Sequence, residues 1–424
     1  MKRRAIIYAS IAVLILLGLT AYLLQQGTFV DEKARDDRPV DQPTKDLDPV
    51  IDVDPEPEKE PEPEPEVEPV LGVVAEDLGL IWAIDFLPGT SKLLANENSG
   101  SIFLIDTETL EVVEITGVPE VASSGQGGLL DLEVSPDFDD DSFVYLTYSA
   151  ENEAGATATH LARASLDLEE QRLSDLEVLY IAEPFQGGTS HYGSRMVLKD
   201  DYLYMTIGDR GDKNFDDHVS QDTTTVLGTT IRLLRDGTIP EDNPFVDDAD
   251  ILDEIYTYGH RNSQGMTIHP ETGEIWQSEH GEQDGDEINI IYGGNNYGWP
   301  LATYGCTYGT GQDIGVLPED LDDTINPVHY WECGSGGFPP AGMTFYDADG
   351  FADWQGDLFV GGLASQYLAH FRVTGVGLEE LDPLLEDEGW RVRDVTVGHH
   401  DGAIYAAVEG QSISIARIAP KPVE

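Results

Sequence analysis

Five acidic side chains fall within nine positions at the start of EHGEQDGDEINII, residues 279–291: Glu279, Glu282, Asp284, Asp286 and Glu287. Oxygen ligands at this density suit a hard cation such as calcium. The spacing excludes an EF-hand, because the ligands do not alternate toward a twelfth-position Glu and no helices flank the run. A solvated turn leading into an apolar strand is the other reading. His191 lies in HYGSR. A neutral imidazole titrating near the working pH is suited to taking a proton as a general base. Taken alone, the same residue reads as a surface histidine in a turn. Arg261 and Asn262 stand in GHRN, and Arg391 and Arg393 alternate in WRVRDV, which puts both guanidiniums on one face of a strand. Each is an ordinary surface charge by itself, but arginines in loops are conspicuous where acidic residues number 81 and basic ones 23.

These candidates are far apart in the chain, so the fold must bring them together. Beyond residue 71 there is little helical periodicity. A turn rich in Asp, Gly or Pro followed by a short apolar strand recurs instead: FLPGTSKLLANE, SPDFDDDSFVYLTYS, LKDDYLYMTIGD, HPETGEIWQSEHG, DADGFADWQGDLFVGGL and GHHDGAIYAAVE. Six such units, on the order of sixty residues apart, predict an all-β, six-bladed β-propeller. The chain is too long for a β-sandwich. In a propeller, the loops at one end of the central channel share a pocket.

Three stretches carry a more specific signal: GQGGLLDLEVSPDF (125–138), HYGSRMVLKDDYLYMTIGDRGD (191–212) and GHRNSQGMTIHPETGEIWQSEHGEQDGDEINIIYGGNNYGWP (259–300). With LGTTIRLLRDGTIPEDNPF and WRVRDV, they resemble the soluble aldose sugar dehydrogenases that use pyrroloquinoline quinone (PQQ), the propeller family that contains soluble glucose dehydrogenase. The resemblance spans residues 71–418. It implies that His191, in the motif H-x-G-x-R with Gly193 and Arg195, is the general base. It places Arg261 and Asn262 beside the quinone oxygens, Arg391 and Arg393 on the cofactor carboxylates, and Gln126 on cofactor or substrate. It puts one calcium on the main-chain carbonyls of Gly281 and Glu282. A second, structural calcium falls on Glu287 and the carbonyl of Tyr297. The family often carries Pro where Glu282 stands, and a quinone-contacting lysine where this chain has Ala364. Loss of that cation implies weaker cofactor binding, by about 1–3 kcal/mol if the contact is a charge-assisted hydrogen bond. Residues 301–340 diverge from the glucose-specific enzyme toward the broader aldose enzymes, which implies relaxed sugar specificity. Two other readings are a non-catalytic calcium-binding propeller that binds a protein or glycan, and a calcium-dependent hydrolase with carboxylates around its metal.

The formal charge of -58 argues against a nucleic-acid partner, whose phosphates would be repelled. It also fits adaptation to high salt, where screening relieves self-repulsion. At the N-terminus, Lys2, Arg3 and Arg4 precede an apolar run from Ala5 to Leu24, the length of a membrane span with a cytoplasmic N-terminus. A cleaved signal peptide competes, but no A-x-A site follows. The expected organisation is an anchor over 1–25, a stiff, self-repelling Pro/Glu-rich disordered linker over 26–70 and the propeller over 71–421. The catalytic body would then face outward, take an aldose sugar and pass electrons to an external acceptor. Export also permits a disulfide between Cys306 and Cys333.

Overall fold

All six recurrent segments occupy the same place in the structure. The computed structural model describes residues 67–375, 377–410 and 412–422, and these build six four-stranded antiparallel sheets. In each sheet the recurrent segment supplies the turn after the first strand and the second strand itself. The second strands are Lys92–Glu97, Phe143–Glu151, Tyr202–Ile207, Ile275–Glu279, Leu358–Gly362 and Ala403–Glu409. They are apolar because both faces of a middle strand pack against neighbouring blades, and most of their residues are buried. Contacts between sheets run through the first strands, each touching the next and the last touching the first. That closed ring is the six-bladed propeller the sequence predicts.

The chain closes the ring with a strand from its own beginning. Val67–Glu76 pairs with Ile413–Pro422, from Val67↔Pro422 to Glu76↔Ile413, as the outermost strand of the sixth blade. The blade thus starts four residues ahead of the expected boundary at 71. An edge strand tolerates Pro69 because its free side needs no ladder hydrogen bond. The expected anchor, and the linker up to Glu66, lie outside the described residues. Among the described residues no helix is long and apolar enough to cross a membrane.

Every first strand is irregular near its start. Register shifts fall between Ile81/Ala83, Leu129/Leu132, Gly193/Met196, Ser263/Gly265, Pro340/Met343 and Val392/Asp394. A bulge re-aims the residue it displaces. The displaced residues include Trp82, Asp131, Arg195, Gln264 and Arg393, and they meet at one end of the channel. Arg195 joins them. Its Nε donates to Gln264 O at 2.9 Å, one terminal nitrogen to Asp131 at 2.9 Å, and the other lies 3.1 Å from Asp394. Its guanidinium also lies over the Trp82 ring at 4.6 Å. Five blades are tied through one buried cation, which forms a floor for what lies above.

Candidate active site

His191 and Asp209 flank one hairpin. The strands Gly193–Lys199 and Tyr202–Ile207 pair with Gly193 opposite Ile207, so the residues two positions outside that pair meet. His191 Nδ1 lies 2.6 Å from Asp209 Oδ1. The Asp209 carboxylate is buried and also accepts from Gly211 N at 2.8 Å and Trp299 Nε1 at 3.2 Å, with His218 Nε2 at 3.5 Å. Burial alone would raise its carboxyl, but hydrogen bonds from His191 and His218 outweigh that and hold it well below the usual carboxylate range. An ionised Asp209 fixes the proton on Nδ1 of His191 and leaves Nε2 as the free lone pair. The His191 backbone is left-handed, with φ +49°, and its N–H donates to Gln126 Oε1 at 2.6 Å. Strained backbone of this kind persists where surrounding contacts enforce it.

Arg261 and Asn262 stand beside this pair, just ahead of the first strand of the fourth blade. Arg261 donates to His280 O at 3.2 Å and to Glu282 Oε2 at 2.7 Å, and its guanidinium lies 5.4 Å from the Trp299 ring centre. Among the described residues its buried Nε has no partner. Asn262 accepts from Gly193 N at 3.2 Å through its side-chain oxygen, while its amide nitrogen is buried and has no partner among the described residues. Unmet donors of this kind are costly unless a ligand answers them.

A cavity of about 310 Å³ opens next to them, lined among others by Gln126, Gln264, His280, Ala364, Arg391 and Arg393. His191, Arg261 and Asn262 are not in its lining but connect to it through Gln126 and His280. The two later arginines share one face, as expected, and grip one carboxylate. Arg391 Nε lies 2.7 Å from one oxygen of Glu409, and Arg393 NH2 lies 2.8 Å from the other. Arg393 also donates to Gln264 Oε1 at 3.2 Å, and its buried Nε has no partner among the described residues. Burial pushes the His280 imidazole down to about 3, with Arg261, His191 and Arg393 adding to the effect. The cavity therefore offers cations, donors and a neutral imidazole. That set fits a flat anionic ligand rich in oxygen. Ala364 sits in the wall and supplies no charge.

The acidic loop has two distinct parts. Asp286 accepts from Gly281 N at 3.0 Å and Phe338 N at 2.8 Å, folding the loop back so tightly that a Cβ at Gly281 would fall 2.1 Å from Asp284 O. Among the described residues the carbonyls of Gly281, Glu282 and Tyr297 accept no hydrogen bond. Glu287 lies opposite Glu279 in the strand register. Burial pushes its carboxyl well above the usual range, and Glu279 and Asp286 push it further. Its one hydrogen bond is from Asn289 Nδ2 at 3.3 Å, and Asn289 Oδ1 is itself buried without a partner. Free carbonyls and an uncompensated buried carboxylate are the oxygen donors a hard cation accepts. Among the described residues no three His, Cys, Asp or Glu side chains gather as a metal centre. The carboxylates Asp131 and Asp394 do converge in the channel, but on Arg195, which removes the ground for a hydrolase-type metal site there.

Sequence reasoning missed several partners. Asp209 was legible, since extending the hairpin register by two pairs it with His191. Glu409 sits opposite Arg391 in the ladder and has no sequence signal of its own. The Glu282 carboxylate, considered only for its carbonyl, holds Arg261 and is bonded in turn by Lys213. Cys306 and Cys333 form the permitted disulfide, with Cα atoms 5.7 Å apart.

The likeness to known proteins extends across this whole arrangement. The aldose sugar dehydrogenase of Escherichia coli is 33% identical over 350 residues, covering 82% of this chain and 92% of that protein. The crystal structure of that soluble enzyme in its apo form superposes with a TM-score of 0.77, covering 84% of this chain and all of the other. The PQQ-bound aldose sugar dehydrogenase of Streptomyces coelicolor is 26% identical with a TM-score of 0.65, over 84% of this chain and 100% of that one. The model of the Glucose / Sorbosone dehydrogenase family matches residues 78–417, from just before the first blade into the last strand, Ile413–Pro422, and the chain belongs to that family.

Proposed function

We propose that this protein oxidises aldoses at the anomeric carbon to lactones, using PQQ and calcium. The observation that carries the reading is the His191–Asp209 pair standing beside the unpartnered donors of Arg261 and Asn262. Asp209 keeps the proton on Nδ1, so Nε2 removes the anomeric hydroxyl proton. The bound quinone supplies the acceptor for the hydride that leaves the same carbon, with calcium as a Lewis acid. Arg261 and Asn262 donate toward the oxygens on which negative charge grows. Arg391 and Arg393, balanced in part by Glu409, hold the cofactor's carboxylates. The carbonyls of Gly281 and Glu282 would take the cofactor-side ion, and Glu287 with the Tyr297 carbonyl the structural one.

The broader aldose character of residues 301–340 supports use of several sugars. The apolar run Ala5–Leu24 supports an anchor that holds the enzyme outside the cytoplasm, from which it passes electrons to an external acceptor. The decisive experiment mixes folded, cofactor-free protein with calcium and PQQ and follows reduction of an artificial dye. Dye reduction that depends on aldose is expected. His191→Ala should lose orders of magnitude in rate while taking up the quinone normally by absorbance titration. Folded protein that binds no quinone, or binds it and oxidises no aldose, would overturn the proposal.

A further inference from the structure

In GDRGD, residues 208–212, an arginine directly follows Asp209. The backbone of Arg210 is left-handed, with φ +57°, a conformation that a residue with a side chain keeps where contacts enforce it. Its side chain makes those contacts and is only 9% exposed. Nε donates to Ser190 O at 3.1 Å, and one terminal nitrogen to Thr157 O at 2.9 Å. The other terminal nitrogen donates to Thr157 Oγ1 at 2.9 Å and to Gly188 O. The guanidinium carbon lies 3.8 Å over the Tyr192 ring, whose hydroxyl is 2.8 Å from the same Thr157 Oγ1. All four oxygens are neutral, in a chain with 81 acidic residues. What the site uses is therefore the forked geometry of the cation, which a lysine does not have.

The atoms that Arg210 holds belong to the segment that carries His191. This segment joins the outer strand of the second blade, Arg172–Ile181, to the first strand of the third, Gly193–Lys199. It is fixed from two sides. Gln126 N donates to Thr189 O at 2.8 Å, and Gln126 Oε1 accepts from His191 N. Arg210 takes the carbonyls on either side of Thr189, those of Gly188 and Ser190, and its own N–H donates to His191 O at 3.2 Å. Hydrogen bonds from an ionised donor are the stronger kind. Neighbouring residues thus divide the work: Asp209 turns the imidazole, and Arg210 fixes the backbone beneath it. Arg210 does not line the cavity.

We propose that Arg210 is a positioning residue, which sets the backbone of 188–191 so that His191 reaches Asp209 and the substrate hydroxyl together. This role rests on the sugar-oxidising reading above. The test uses Arg210→Gly, which suits the left-handed backbone, and Arg210→Lys, which keeps the charge without the fork. With calcium and PQQ bound, both variants should lose on the order of 10²-fold in kcat on glucose, the cost of misplacing a reacting group by about 1 Å. KM for the sugar and quinone uptake by absorbance should stay as in the parent. The second readout is nuclear magnetic resonance of cofactor-free protein with its histidines labelled with nitrogen-15. At a pH where the imidazole is neutral, His191 of the parent should show one tautomer, protonated on Nδ1, its signal assigned by its absence from His191→Ala. In both Arg210 variants that signal should reveal exchange between two tautomers, while the other histidine signals stay in place. A parent-like kcat, a loss carried by KM, an unchanged His191 tautomer, or changes spread over the other histidines would overturn the role. So would failure of both variants to fold, which would make Arg210 a support of the whole blade pair. If the parent oxidises no aldose, the functional reading fails, while the tautomer of His191 still decides Arg210.

Discussion

In the proposed reaction His191 acts through its pairing with Asp209, and exchanging that one carboxylate tests the arrangement. Asp209→Asn keeps shape but removes the charge that fixes the imidazole proton. The expected loss in kcat is on the order of 10³- to 10⁴-fold, as for other histidines deprived of an orienting carboxylate, with quinone uptake unchanged by absorbance. The same substitution has a signature in stability. The folded carboxyl of Asp209 lies below its unfolded value. Its contribution is therefore present above the ordinary carboxylate range and lost as pH falls through the lowered value. Between about pH 5 and 3 the melting temperature of Asp209→Asn should fall less steeply than the parent's. An equal acid slope in both proteins would mean that the carboxylate is not held as described. At this scale the sequence singled out His191, Arg261 and the alternating Arg391 and Arg393 by residue type, and the fold sets them around and beside one cavity. The sequence was silent on counter-charges, because Glu409 and the Glu282 side chain acquire their roles only from what the fold sets opposite them.

At the scale of elements, the six turn-and-strand segments were readable because each second strand is buried on both faces and must be apolar. The bulges at the start of the first strands were not readable. They depend on pairing between strands, and they are what turn Gln264 and Arg393 toward the cavity. The acidic run was read from its density as the place for a cation, which remains a proposal; its division into a carbonyl-bearing turn and a buried strand-start carboxylate needed the register that sets Glu287 opposite Glu279. A buried carboxylate without a counter-charge is destabilising, and calcium would offset that cost. Calcium at a hundredfold excess over its dissociation constant should add about 2.7 kcal/mol to stability, a rise of several degrees in melting temperature. Chelation should reverse the rise. Glu287→Gln should make the chelated protein no less stable, since an orphan charge is gone, and should abolish most of the response to calcium. A full calcium response in that variant would remove Glu287 from the ion site.

Across the whole molecule, charge opposes the compactness that the closing strand secures. From Val67 onward the chain carries 66 acidic residues against 15 basic ones. Salt acts on this in two directions. It weakens exposed ion pairs such as Lys213–Glu282, whose lysine is 54% exposed, and Arg391–Glu409, whose arginine is 38% exposed. Exposed pairs are worth about 0–1 kcal/mol each, and only 15 cations are available to form them. Salt also screens repulsion among the unpaired carboxylates, and at 1 M the screening length falls to about 3 Å. With more than four acids for every base, repulsion outweighs pairing. Melting temperature should therefore rise with sodium chloride, most steeply below about 0.5 M, where the screening length shrinks fastest past the spacing of surface charges. Potassium chloride should give the same curve, which separates screening from binding of a particular ion. Removal of residues 1–66 should leave this dependence in place, because most of the charge belongs to the propeller. Removal through Glu76 should instead lower stability at every salt concentration, because it takes away the strand paired with Ile413–Pro422. A melting temperature that falls as salt is added would show that the few ion pairs, and not the surplus of carboxylates, set the stability of this fold.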